Sequence, residues 1–243
     1  MGGTPPESAA ALLAFLDAAP DLGDSLLVAG DLFEFWFAYR QVIPRRAFPV
    51  AAALARLART MPVAMTGGNH DRWGSAFWVE EAGIRFARHE LLLDAGGRRI
   101  LALHGDGITE RPGRVAWTHR VVGHPATSAA FRLLHPDLGL RLVERLGPLL
   151  SSESTKTEAE KRLYSARQQA WAERRLLADP AIDTIVMGHT HLAAVSEPAP
   201  GRHYVNPGAW LDGGQYAVVT ADDVELRRFT PATRLQPPTA ARR

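Results

Sequence analysis

Apolar positions along the chain fall into three kinds of pattern, and each predicts a different element. In the first they recur on one side of a helix. Ala9 to Ala19 groups Leu12, Leu13 and Leu16, with Pro20 and Gly23 placed to end the run. Pro44 to Thr60 repeats the pattern, interrupted at Pro49, and a shorter version spans about Ala76 to Ala82. In the second, short aliphatic runs stop at glycine: "SLLVAG", "PVAMTGG", "RRILALHG" and "DTIVMG". Runs of that length bounded by turn residues predict buried strands. "IRFA", "ELLLDA", "LAAVSE", "HYVNPG", "QYAVVTA" and "VELRRF" add further strands, with "AGG" turning the chain before "RRILALHG". The third pattern is a helical block from about 112 to 177. It has breaks at Gly123-His124-Pro125, at His135-Pro136 and near Gly147-Pro148, and ends in a long polar helix from about Glu153 to Leu177.

The order is therefore βα units, strands, a helical block, and strands again. That predicts an α/β core interrupted by a helical insertion. The 243 residues suit one domain over 1–230 with its insertion at about 112–177. The remaining 231–243, "PATRLQPPTAARR", reads as a disordered tail.

Composition narrows the chemistry. There is no cysteine, which excludes disulfides and thiolate metal sites. A metal would have to bind through His, Asp, Glu or Asn, a donor set suited to Mn²⁺, Fe²⁺ or Zn²⁺. The net charge is only +2, but Arg111, Arg114, Arg120, Arg132, Arg141 and Arg145 face only Asp137 and Glu144 within one apolar stretch. No apolar run is long enough to span a bilayer, and no signal-peptide pattern opens the chain. The expected location is cytoplasmic. No basic strand surface interleaved with aromatics is evident, so nucleic acid is not an expected partner. Nothing points to an obligate protein partner.

Four of the buried strands end alike, in small residues followed by polar ones. The sequences are "AGDLFEFW" (Asp31), "TGGNHDRW" (Asn69, His70, Asp71), "ALHGDG" (His104, Asp106) and "MGHTH" (His189, His191). Sites in α/β sheets form beyond the carboxyl ends of strands. Taken singly, each segment also reads as a turn or a helix cap. Taken together, four loops can aim Asp31, Asn69, His104, His189 and His191 at one point.

The series G-D, G-N-H-D, H-G-D, G-H-T-H resembles that of the calcineurin-like metallophosphoesterases, from Gly30 to the strands after His191. The resemblance implies a four-layer α/β/β/α sandwich with a helical lid insertion. It also implies two divalent metal ions, with Mn²⁺ favoured over Fe²⁺ or Zn²⁺. Asp31 would bridge them, Asn69, His104 and His189 would complete one shell, and His191 would serve the other. His70, oriented by Asp71, would sit near the leaving group. The implied chemistry is in-line attack by a di-metal-activated hydroxide.

The family's opening strand, which ends in D-X-H, has no counterpart before Gly30: the first Asp is Asp17 and the first His is His70. The expectation is an upstream start, with Met1 not the natural one. The rivals are a variant with a weakened first metal site and a catalytically impaired binding module.

Finer resemblances point to the UDP-2,3-diacylglucosamine hydrolases of lipid A synthesis. "GDLFEFW" is similar to their G-D-L-F-E/D-X-W. The helical block is placed like their lid over acyl chains, and "SSESTKTEAEKRL" is similar to their substrate-holding helix. The resemblance implies cleavage of a nucleotide-linked lipid to UMP and 2,3-diacylglucosamine 1-phosphate. The substrate contacts would be Asn69, His70, Ser154, Lys161 and His189, with the protein peripheral on the cytoplasmic face of the inner membrane. A departure is His70, where that group has Arg, so another phosphodiesterase or phosphatase activity stays open.

Overall fold

The computed structural model describes residues 6–39, 41–74, 76–108, 124–150 and 157–231. Strands β1 (Leu26–Val28), β2 (Val63–Thr66) and β3 (Arg85–Ala87) form a parallel sheet in that order. A five-stranded sheet contains β4 (Glu90–Ala95), β5 (Arg98–Leu103), β6 (Thr184–Met187), β7 (Ala194–Ala199) and β8 (Arg202–Asn206). Its order is β4-β5-β6-β8-β7, with β5, β6 and β8 parallel and the two edge strands antiparallel. A separate antiparallel pair joins β9 (Gln215–Val219) to β10 (Val224–Arg228).

Side-chain alternation along the strands stacks these parts into four layers. Val63 and Met65 of β2 face Phe15 and Leu16 of helix α1 (Pro6–Leu22) and Leu54 of helix α2 (Phe48–Leu57). Ala64, on the opposite face of β2, meets Leu91 and Ala102 of the larger sheet. In β6, Val186 joins this inter-sheet core. Ile185 and Met187 point the other way, against Ala172 and Leu176 of the long outer helix. The architecture is α/β/β/α, as the family resemblance implies.

Three helices make up the described part of the insertion: α3 (Pro125–Phe131), α4 (Pro136–Leu150) and α5 (Glu158–Ala178). The prolines at 125 and 136 open helices, where a missing N–H costs nothing. The break predicted near Gly147-Pro148 is absent, because α4 continues to Leu150. α5 starts at Glu158, later than predicted, because Thr157 and Glu160 form a reciprocal capping box. α1 runs on through Pro20, held by its buried Phe15, Leu16 and Ala19. Pro44 to Thr60 resolves into a 3-10 turn at Arg45–Ala47 and α2, with Pro49 in the first turn. The predicted helix near 76–82 is a π-helical turn, Phe77–Glu81. The tail from 232 onward and the apolar Val115, Trp117, Val121 and Val122 lie outside the described residues. No described helix is long and apolar enough to cross a membrane.

Candidate metal centre

The loops after β1, β2, β5 and β6 meet at one end of the sandwich. Two glycines make the approach possible. Gly30 has φ +82°, and a Cβ there would lie 2.7 Å from His104 Nδ1 and 2.8 Å from the Gly68 nitrogen. A Cβ on Gly68 would collide with the Asp31 carboxylate. Among the described residues, the non-glycine positions with positive φ are Asp31 (52°), His189 (67°) and His191 (60°). All three lie in these loops. Such backbone persists only where the surroundings hold it, commonly at functional sites.

One ligand atom from each of Asp31, His104 and His189 lies within 4.8 Å of the others. The His104 and His189 rings sit 5.1 Å apart at 73°. His104 Nδ1 meets the Ala29 carbonyl at 2.8 Å, so the ring donates there and presents Nε2 to the site. Nε2 stands 3.0 Å from Asp31 Oδ2, but the two are not aligned as a hydrogen bond. Asp31 Oδ2, Asn69 Oδ1 and His104 Nε2 are buried without hydrogen-bond partners. Orphaned buried polar atoms need an explanation. A carboxylate, an amide oxygen and imidazoles pointing together fit a borderline divalent cation.

The electrostatics agree. Burial would raise the Asp31 carboxyl, but His104 and then His70 outweigh it and hold it well below the usual carboxylate range. Burial opposes protonation of His104, and Asp31 more than reverses this, lifting it to about 9. Asp71 is pushed up to about 6 by burial and by Asp31, against hydrogen bonds from Gly68 and Leu32.

Asp71 does not reach the His70 ring, contrary to the expectation. Its Oδ2 accepts from the Leu32 nitrogen at 2.6 Å and its Oδ1 from the Gly68 nitrogen at 2.8 Å. Both oxygens are thus committed to tying the first two loops together. The His70 ring instead meets the Glu34 carbonyl through Nδ1 at 2.8 Å, and its backbone nitrogen donates to Asp31 Oδ1 at 2.9 Å.

The profile of the calcineurin-like phosphoesterase family matches residues 5–193. This chain is a calcineurin-like phosphoesterase. It is accordingly a hydrolase of phosphoester bonds, in a family that uses divalent metals. The UDP-2,3-diacylglucosamine hydrolase of Shigella sonnei (strain Ss046) is 28% identical over 228 residues, covering 92% of this chain and 93% of that protein. The hydrolase of the same name from Yersinia pestis bv. Antiqua (strain Angola) is 30% identical over 235 residues, with the same two coverages. Among solved structures, Vps29 from Entamoeba histolytica aligns over 95% of this chain and 93% of its own at 15% identity, with a TM-score of 0.40.

In this phosphoesterase Asn69, His70 and His191 line the cleft that the three-ligand cluster opens into. His191 is exposed and stands outside that cluster. Lys161, at the start of α5, pairs with Glu158 at 2.7 Å and does not line the cleft. Ser154 lies outside the described residues.

An aromatic wall adjoins His70. Phe131 of α3 packs edge-on against Phe37 (4.7 Å) and Phe35 (5.9 Å), and Trp73 lies 6.0 Å from Phe35. All four line the cleft.

Three supports escaped the sequence reading. Arg72 donates to the Gly68 carbonyl at 3.0 Å and pairs with Asp106, holding the Asn69 loop to the His104 loop. Asn206 donates to the Gly188 carbonyl (2.7 Å) and to Thr190 Oγ1 (3.0 Å). Gln168 reaches the same carbonyl at 3.1 Å. The signal for Gln168 was present: Ser165, Gln168, Ala172 and Leu176 are the buried face of an otherwise polar helix.

Proposed function

We propose that this phosphoesterase hydrolyses the pyrophosphate of UDP-2,3-diacylglucosamine, releasing UMP and 2,3-diacylglucosamine 1-phosphate for lipid A synthesis. The aromatic wall of Phe35, Phe37, Trp73 and Phe131 beside His70 carries this reading. Apolar walls of this kind suit acyl chains. Relatives of that name, matched over nearly their whole length, support it.

Asp31, Asn69, His104 and His189 would hold one divalent ion, and His191 would contribute to a second; Mn²⁺ suits the donors. When bound, the metals supply Lewis acidity for the phosphoryl oxygens and for the attacking water. Asn69, His70 and His189 orient the phosphoryl group, and Ser154 contacts the rest of the substrate. His70 donates through Nδ1 to the Glu34 carbonyl, so that in its imidazolium form Nε2 holds the second proton and passes it to the departing oxygen, leaving the neutral ring. The protein works as a peripheral enzyme on the cytoplasmic face of the inner membrane.

A second reading, a binding module with impaired turnover, is favoured by one observation: the cluster gathers three ligands of the expected set and leaves His191 outside it. The test is UMP release from UDP-2,3-diacylglucosamine by the Mn²⁺-loaded protein, with bis(p-nitrophenyl) phosphate and UDP-N-acetylglucosamine in parallel. Preference for the diacylated substrate supports the hydrolase. Turnover of bis(p-nitrophenyl) phosphate alone would indicate another phosphodiesterase, and no turnover with metal bound would favour the binding module.

A further inference from the structure

The buried face of α5 changes character along its length. Ala172 and Leu176 pack with Ile185 and Met187 of β6. One turn closer to the metal centre, the same face carries Gln168, which has no exposed surface. An apolar residue would continue the stripe there. The glutamine instead buries a whole amide, and its Oε1 has no hydrogen-bond partner among the described residues. A buried, half-satisfied amide is costly. Departures of this kind from the local pattern concentrate at functional positions.

The amide lies between the two histidine loops of the cluster. Its Nε2 donates to the Gly188 carbonyl at 3.1 Å, and a Cβ on Gly105 would lie 3.0 Å from the same nitrogen. Gly188 precedes His189, and Gly105 follows His104. One side chain of the insertion therefore rests against the backbone of both loops. The Gly188 peptide also joins these loops directly, since its nitrogen donates to the His104 carbonyl at 3.1 Å. Its oxygen takes two more donors, Asn206 Nδ2 at 2.7 Å and the Thr190 nitrogen at 2.8 Å.

We propose that Gln168 is a positioning residue: from α5 it fixes the peptide between Gly188 and His189, and so sets the His189 ring against His104 and Asp31 for a metal ion. A carbonyl oxygen has two lone pairs, so the Gly188 oxygen stays satisfied without Gln168. What is lost with Gln168 is direction. The peptide plane then turns toward Asn206 and Thr190. That turn enters the backbone of His189, whose φ of 67° persists only while its surroundings hold it.

The three donors come from different parts of the molecule. Thr190 belongs to the same turn as Gly188, and Asn206 ends β8 of the sheet. Gln168 alone of the three is carried by the insertion. A shift of α5 therefore reaches the metal ligands through this contact. This role rests on the metal-centre reading and not on the identity of the substrate.

The experiment replaces Gln168 by methionine, which is similarly long and unbranched but lacks the amide. Mn²⁺ dissociation constants are measured by isothermal titration calorimetry, and Tm is measured in chelator. Removing a half-satisfied buried amide should leave Tm equal or higher. Removing a contact that orients a metal ligand should weaken Mn²⁺ binding by roughly 10–100-fold. The expected result for Gln168→Met is that pair of changes, together with an altered visible absorption spectrum of the Co²⁺-loaded protein. Gln169→Met, at the next position, where the amide donates to Glu173 at 2.8 Å, should alter neither metal readout. Unchanged Mn²⁺ affinity in Gln168→Met overturns the proposal. So does weakened affinity accompanied by a fall in Tm, since Gln168 would then be a packing residue. A native chain that binds no Mn²⁺ would sink the metal-centre reading itself, and the role of Gln168 with it.

Discussion

Asp31 is where the loops converge. One carboxylate oxygen takes the His70 nitrogen and the other faces His104. The metal-free protein should carry a pH signature of this pair. His104 is lifted to about 9 from an ordinary 6.5 because Asp31 outweighs burial. The folded state therefore keeps the His104 proton to higher pH than the unfolded chain does. The resulting stabilisation is complete below about pH 6.5 and is lost as pH rises through about 9. In chelator, Tm should fall over that window more steeply for the native chain than for His104→Gln, by scanning fluorimetry. Equal slopes would assign the proton elsewhere. Asp71 is buried between two backbone donors. Asp71→Asn turns an amide NH₂ toward one of them, and should cost about 1–3 kcal/mol in urea unfolding. The sequence made Asp31, Asn69, His104 and His189 legible because each stands beside a glycine just past the end of a strand. It did not reveal the task of Asp71, because the Leu32 nitrogen it accepts lies 39 positions away. Local sequence does not report which distant backbone group a carboxylate will meet.

At the level of elements, strands were easier to read than helix ends. A buried strand is a short apolar run, whatever lies beside it. A helix end depends on particular caps, as at Thr157 and Glu160, or on packing strong enough to carry α1 past Pro20. Links between elements were harder still. Arg72 and Asp106 join the loop after β2 to the loop after β5, with side chains only 10% and 16% exposed. Burial would raise Asp106, but Arg72 holds it below its ordinary range. Arg72→Met leaves that carboxylate uncompensated and should destabilise the fold by about 3 kcal/mol, in the range for breaking a buried pair. Adding Asp106→Asn should recover part of the loss. A double-mutant cycle in denaturant measures the coupling, and additive losses would mean that the pair does not act as a unit.

Across the whole molecule, the sandwich gathers the loops of the candidate metal centre, and the insertion adds a surface the sandwich alone would lack. Phe131 fastens α3 to the aromatic loop after β1, with Arg132 over the Phe37 ring at 5.9 Å. Beyond that anchor Leu133, Leu138 and Leu142 are 88%, 57% and 41% exposed. Arg132, Arg141 and Arg145 lie among them, also exposed. One exposed leucine needs no explanation. Three so close together, interleaved with arginines, form a surface suited to an anionic lipid interface. Leu133 and Leu138 do not line the cleft, so they can be changed without touching the proposed substrate path. Burying a leucine side chain is worth about 1.5–3 kcal/mol, and insertion at an interface realises part of that. Leu133→Asp with Leu138→Asp should therefore lower co-sedimentation with phosphatidylglycerol-containing vesicles by at least about tenfold. Turnover of bis(p-nitrophenyl) phosphate should be unaffected, and turnover of vesicle-borne UDP-2,3-diacylglucosamine should fall with binding. Unchanged vesicle binding would mean that these leucines serve the packing of the insertion instead, and that any membrane contact is made through another face.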